Sequence, residues 1–233
     1  MIKETALKIR RKVVDLIMRK DIELSGIEYW KYRTKKYGGF AVFNLDRSES
    51  EIEEVNAFQK AEIFPIFRSA LRGDEGVVLD LGCGAGRFTP DLAEIINGKA
   101  IGIDPIEELL DIAPRTERTE YVPMEEGKIP LPESSVDVVW VYGVLGCISG
   151  EALEKTISEI DRVLKEGGLL FLIEGIGGKE GKGYEVREFN RYREMIYFAP
   201  LAYLHDYFDC ETRFAVMAGR KGEAEGRSPR AIS

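Results

Sequence analysis

Residues 77–88 read Val77-Val-Leu-Asp-Leu-Gly-Cys-Gly-Ala-Gly-Arg-Phe88, and few folds can house that string. Branched aliphatics around a single carboxylate describe a strand buried on both faces, which is how a central strand of a parallel sheet reads. Gly82, Gly84 and Gly86 then let the main chain turn sharply and come within contact distance of a ligand. Thr89-Pro90-Asp91, followed by the apolar Leu92, Ile95 and Ile96, starts a helix with proline in its first turn, where no N–H partner is needed.

Strand, glycine turn and helix in that order open a nucleotide-binding half-fold. The dinucleotide fingerprint needs Gly-x-Gly-x-x-Gly, and here the third glycine comes one residue early, which weakens a nicotinamide or flavin reading. Asp80 would repel a phosphate and attract a cationic ligand. Leu79-Asp-Leu-Gly-Cys-Gly-Ala-Gly86 closely resembles the first motif of the class I S-adenosylmethionine-dependent methyltransferases, in particular their small-molecule group, and the resemblance continues in order from about Trp30 to Glu174. It implies an α/β, Rossmann-like, doubly wound fold: a seven-stranded, mostly parallel sheet with an antiparallel last strand, plus an N-terminal helical lid. It also implies S-adenosyl-L-methionine as cofactor and S-adenosyl-L-homocysteine as its product. Gly82, Cys83, Gly84 and Gly86 would then cradle the amino-acid end, with Asp80 close to the amino group.

A length of 233 residues suits one α/β catalytic domain with small additions. The expected division is residues 1–72 as N-terminal helices and lid segment, 73–220 as the cofactor-binding core, and 221–233 as a flexible tail. No apolar run approaches the ~20 residues that span a bilayer, and the first residues lack the continuous apolar segment of a signal peptide. The expectation is a cytoplasmic protein with no membrane partner. Cys83, Cys147 and Cys210 are widely spaced and odd in number, which suits reduced thiols. With one histidine in the chain, no metal site is expected. A formal charge of −8 argues against wrapping nucleic acid over the whole surface and leaves a local basic patch open.

Over residues 3–20, Ala6, Ile9, Val13 and Ile17 recur at helical spacing between Lys8, Arg10, Arg11, Lys12, Arg19 and Lys20. This basic amphipathic helix is either a solvated face packed by one stripe or a docking surface for an anionic acceptor. Glu28-Tyr-Trp-Lys-Tyr-Arg-Thr-Lys-Lys-Tyr-Gly-Gly-Phe40 resembles the segment that folds over the cofactor in many small-molecule methyltransferases. On that resemblance Tyr29, Trp30, Tyr32, Arg33 and Tyr37 are candidates to close the site, with Arg33 near the cofactor carboxylate; the alternative is an aromatic cluster serving only as core. Residues 49–72 form a helical pattern broken or bent at Pro65.

Gly98-Lys-Ala-Ile-Gly-Ile-Asp104 is a short strand ending in a carboxylate about 20 residues past the glycine loop, where an acid can accept from both ribose hydroxyls. Asp104 also suits a helix N-cap, and the resemblance lays Pro105 and Ile106 against the adenine ring. Tyr121 to Pro132 gives a third strand and exit loop, in which Glu125, with Glu126 beside it, falls at the acidic position that reads the adenine edge in the family. Ser135 to Tyr142 is a fourth strand, with Asp137 a structural acid at its start and Tyr142 at its end, where its ring or hydroxyl could face the sulfonium. The Asn/Asp-Pro-Pro-aromatic run of base-amine methylators is missing there. Glu151 to Lys165 is a helix stopped by Gly167 and Gly168, and a fifth strand runs to Glu174.

Beyond Glu174, residues 175–183 read as a mobile, glycine-rich acceptor gate, Tyr184 to Pro200 as a charged helical stretch carrying Arg187, Arg191 and Arg193, and residues 204–218 as two short last strands. Methyl transfer is mostly alignment and desolvation, so no nucleophilic side chain is required. A weakly acidic acceptor would want a base, and by location the weak candidates are Glu174, His205 and Asp206, with Tyr142 as orienter. The leading expectation is a monomeric or homodimeric enzyme methylating an O or N atom of a small molecule. An RNA or protein methyltransferase using the basic helix, and a non-catalytic cofactor-binding scaffold, are the alternatives.

Overall fold

A computed structural model describes residues 24, 26–42, 49–178, 183–209 and 211–223. The basic helix expected over residues 3–20, Cys210, and the tail from residue 224 lie outside the described residues.

Seven strands, β1 Val77–Leu81, β2 Lys99–Asp104, β3 Thr119–Pro123, β4 Val136–Tyr142, β5 Leu164–Gly178, β6 Ala202–Asp209 and β7 Thr212–Arg220, form one sheet in the order β3-β2-β1-β4-β5-β7-β6. β1 to β5 pair in parallel, and β7 runs antiparallel to both β5 and β6, so the mixed sheet with a reversed last strand is as the sequence implied. Strand order changes direction between β1 and β4, the switch point beside which open α/β sheets bind ligands.

The helices are α1 Gly26–Tyr37, continued by a 3-10 turn Gly38–Val42, then α2 Glu49–Ala70, α3 Thr89–Ile95, α4 Glu107–Asp111, α5 Gly150–Val163 and α6 Phe189–Met195. Alternate side chains of the central strands feed two cores. Leu79, Leu81, Val139, Val141, Leu170 and Leu172 meet Leu153, Ile157 and Ile160 of α5 and Tyr192 of α6. On the other face Val78, Val138, Trp140, Phe171 and Ile173 meet Ile63 and Phe67 of α2 and Leu92 of α3. Trp140 anchors this second core, stacked on Phe171 at 5.1 Å and 11°. Such pairs add about 0.5–1.5 kcal/mol beyond their area burial.

Several expectations need correction. Pro65 does not break α2, which runs through it. α5 ends at Val163, before the glycines, because Leu164 turns extended and already pairs with Val136; residues 164–168 bulge along β4, with Gly167 at φ 72° inside the bulge. β5 continues through Gly178, so the glycines from 175 to 178 are strand residues paired with β7 and not a loop. β6 and β7 are not short, and Tyr184 to Pro200 is helical only over α6.

Candidate functional site

The glycine loop is pinned to the neighbouring strand before it turns: the N–H groups of Gly82 and Cys83 both donate to the Ile103 carbonyl, at 2.8 and 3.0 Å. Gly82, Gly84 and Gly86 all have positive φ. A Cβ on Gly82 would meet the Val144 side chain at 2.5 Å, and one on Gly86 would meet the Tyr121 hydroxyl at 2.5 Å, so both positions require glycine by space as well as by backbone angle. The contact with Val144 brings the exits of β1 and β4 together at the switch point.

Two carboxylates sit at these strand ends. Asp104 is 7% exposed; its Oδ2 accepts from Gly84 N–H and its Oδ1 from Ile106 N–H, both at 2.9 Å. It bridges loop and strand, and each oxygen keeps a further lone pair for a ligand. Asp104 is not the N-cap of α4: that position is Ile106, and the aspartate closes a turn two residues on because Pro105 intervenes. Asp80 is 3% exposed and accepts from the Thr89 hydroxyl at 2.6 Å. Burial pushes Asp80 up to about 7, with Thr89 and the nearby Arg87 pulling the other way and Asp104 adding to the rise. Burial likewise lifts Asp104 to about 6 against its two amide bonds. Water is scarce around both acids, so a ligand bringing hydroxyl or ammonium donors meets acceptors already desolvated. The Cys83 thiol is raised chiefly by burial and stays protonated.

α1 lies across these strand ends. A groove of about 300 Å³ runs between it and the β2 exit, with Glu28, Tyr32 and Lys35 on one side and Pro105, Ile106 and Glu108 on the other. Trp30 lies beside Cys147 past β4, Tyr29 fills the space over Gly183 past β5, and Gly39 abuts Ile112. Trp30 Nε1 and Thr34 Oγ1 are buried without a hydrogen-bond partner. Arg33 holds its own segment, donating from Nε to the Ala41 carbonyl at 2.8 Å and from Nη1 to Tyr29 Oη at 3.0 Å. Lys36 donates to Tyr32 Oη at 3.2 Å and stands 5.0 Å over the Tyr37 ring.

The remaining candidates are spread over both faces. Glu125 bridges to Lys128 in the loop after β3, and both Glu125 and Glu126 are exposed there. Glu174 is fully buried and accepts from the N–H groups of Val144, Leu145 and Gly146 and from the Tyr184 hydroxyl, at 2.7 to 3.2 Å. With every bond to protein it is a holder of the turn after β4 and not a free base. Arg187, unremarked for this in the sequence, completes the clamp by donating to the carbonyls of Leu145 and Ile148 at 2.7 and 2.8 Å. His205 Nε2 lies 2.8 Å from Glu62 Oε2 of α2, and Asp206 pairs with Arg213. Both stand on β6, the edge strand beyond β5 and β7 from the switch point, and are engaged by Glu62 and Arg213 there. Asp137 accepts from Gly76 and Val77 N–H at the opposite end of the sheet, a structural role as expected. Among the described residues no cluster could hold a metal ion and no helix is long and apolar enough to cross a membrane.

Residues 79–172 match the family described as methyltransferase domain. An uncharacterized methyltransferase of Schizosaccharomyces pombe is 28% identical over 133 residues, 52% of this chain and 47% of that protein. A demethylmenaquinone methyltransferase of Lactococcus lactis is 37% identical over 106 residues, 42% of this chain and 41% of that protein. The chain thus spans less than half the length of these curated relatives. Among solved structures, a SAM-dependent methyltransferase from Aquifex aeolicus superposes with a TM-score of 0.56 at 24% identity, covering 74% of this chain and 98% of that one. The resemblance to a methyltransferase domain read from the sequence is borne out over residues 79–172, and the fold matches that of a solved SAM-dependent methyltransferase.

Proposed function

We infer that this chain, a class I S-adenosylmethionine-dependent methyltransferase in its residues 79–172, transfers a methyl group to an O or N atom of a small-molecule acceptor. The observation that carries the reading is the pair of desolvated acids at neighbouring strand ends, joined through the glycine loop by Asp104. The residues present fit the cofactor: buried acceptors with spare lone pairs suit a diol and an ammonium, and three buried polar atoms of α1, on Trp30, Thr34 and Tyr37, have no hydrogen-bond partner.

When bound, S-adenosylmethionine supplies an electrophilic methyl on a positively charged sulfur. Asp104 would hold the ribose hydroxyls, Asp80 would sit near the amino group, and the main chain from Gly82 through Cys83 and Gly84 to Gly86 would line the amino-acid end. Pro105 would flank the adenine, with Glu125 or Glu126 at its edge. α1 is the lid of this arrangement, closing through Trp30 and Tyr29, with Arg33 shaping the segment. Excluding water and fixing donor against acceptor is the chief work left to the protein. The catalytic unit on this reading is residues 73–220, with residues 1–72 as cover. A small-molecule acceptor is favoured because the mouth is roofed by the chain's own aromatic helix.

Calorimetry with S-adenosylhomocysteine tests the assignment. Asp104→Ala is expected to weaken binding by ~1.5–3 kcal/mol, the scale of hydrogen bonds to a charged acceptor. Unchanged affinity rejects it. Release of labelled methyl into a metabolite pool but not into mixed tRNA is the expected result for the acceptor class.

A further inference from the structure

The sheet has two outer strands, and they are guarded differently. β3 is five residues long, shows Glu120 to solvent and ends in Pro123, features that discourage a further strand from pairing. β6 is eight residues long, holds neither lysine nor proline, and pairs on one side only, with β7. Its polar side chains are turned to its own subunit: His205 to Glu62 at 2.8 Å, Asp206 to Arg213, and Asp209 to Gln59 Nε2 at 3.0 Å. A bulge at Leu204 breaks the register, so residues 205–209 are the regular stretch whose outer amides and carbonyls stay open among the described residues.

Five large apolar side chains are exposed among the described residues, and three of them gather on this edge. Tyr203 and Phe208 belong to β6, and Phe58 of α2 packs edge-on against Tyr207 at 6.2 Å. Phe208 is 64% exposed and Phe58 48%, and they flank the strand on opposite faces. Phe208 stands across from Arg213 of β7, on the face of the Asp206–Arg213 pair, whereas Phe58 lies on the α2 face. This arrangement is self-complementary. When residues 205–209 of two copies run antiparallel about a two-fold axis at Tyr207, Phe208 comes opposite the partner's Asp206 on the same face, and its ring can stack on the guanidinium of the partner's Arg213. The contact is made twice. On the other face the same axis brings the two Phe58 rings toward each other, and His205 faces the partner's Asp209, so no two like charges meet.

We propose that β6 is a self-association edge, through which two copies of this chain pair antiparallel over residues 205–209 and continue one sheet into the other. The edge lies beyond β5 and β7 from the switch point, so the interface stands or falls apart from the methyltransferase reading. Sedimentation equilibrium of the full chain over a micromolar concentration series is expected to show a reversible dimer, and amide exchange over residues 205–209 is expected to slow as the dimer fills. Phe208→Lys puts a charge on the edge strand at an exposed position and is expected to weaken the dimer about tenfold or more. Phe58→Lys, on a different element and the other face, should do the same, and it decides the matter where Phe208→Lys fails to fold. Ile112→Lys, an equally exposed apolar position at the end of α4, should leave association unchanged. A parent that stays monomeric throughout, a dimer that persists in both Phe208→Lys and Phe58→Lys, or one that Ile112→Lys also abolishes, overturns the interface.

Discussion

Asp80 and Asp104 hold protons in the folded protein, at about 7 and about 6, across a range in which an unfolded chain has released them. The folded state therefore binds more protons between about pH 4 and pH 7, and stability contributed by the neutral acids is present below that window and lost as pH rises through it. Removing the charge removes the loss. Asp80→Asn is expected to gain stability relative to the parent on going from pH 4 to pH 8, by on the order of 3 kcal/mol, measured by urea denaturation at the two values. A parent and variant whose difference is the same at both pH values would show that Asp80 is not desolvated. The positions of both acids were legible in the sequence because each is the polar exception in an aliphatic strand. Their bridging geometry was not, since Asp104's partner Gly84 is fixed only once β1 and β2 lie in register.

The turn from Gly143 to Ile148 is an element made by its neighbours. No helix or strand of its own orders it beyond a single 3-10 turn, Leu145–Cys147; instead Glu174 takes its amides, Arg187 its carbonyls, and Tyr184 covers Gly146. Truncating Glu174 to alanine would strand the buried amides of Leu145 and Gly146 and the part-buried one of Val144, each buried amide worth about 1–3 kcal/mol when unpaired, so a loss of at least about 2 kcal/mol in urea denaturation is expected. Glu174→Gln, which keeps an acceptor, should lose less. A Glu174→Ala protein as stable as its parent would contradict the clamp. The strand that ends in Glu174 was readable from its apolar run; the role of the acid was not, because its partners leave a different strand. The same logic explains the other misreadings. Pro65 suggested a break or bend, yet Ile63 and Phe67 are both wholly buried against the sheet and the helix is continuous through it. β6 and β7 looked short because charged and polar residues such as His205, Asp206 and Arg213 interrupt their apolar pattern, and the β5–β7 and β7–β6 pairing overrides that local signal.

At the scale of the whole molecule, the sheet presents its strand ends to one side, and α1 is the element that lies over them, resting on the exits of β2, β4 and β5. If that helix closes on cofactor, the environment of Trp30 changes while that of Trp140 does not, since Trp140 is fully buried in the core under α2. The chain has these two tryptophans and no other, so Trp140→Phe leaves Trp30 as the sole indole reporter. Its removal from the core is conservative, because the indole Nε1 already lacks a partner there and a phenyl ring can keep the stack on Phe171. Saturating S-adenosylhomocysteine is expected to shift Trp30 emission to shorter wavelength and slow amide exchange across residues 26–42, with no shift in the doubly substituted Trp30→Phe, Trp140→Phe protein. Cofactor binding by calorimetry with Trp30 emission unmoved would mean that α1 is a fixed part of the wall, and that the site admits its ligands without a moving lid.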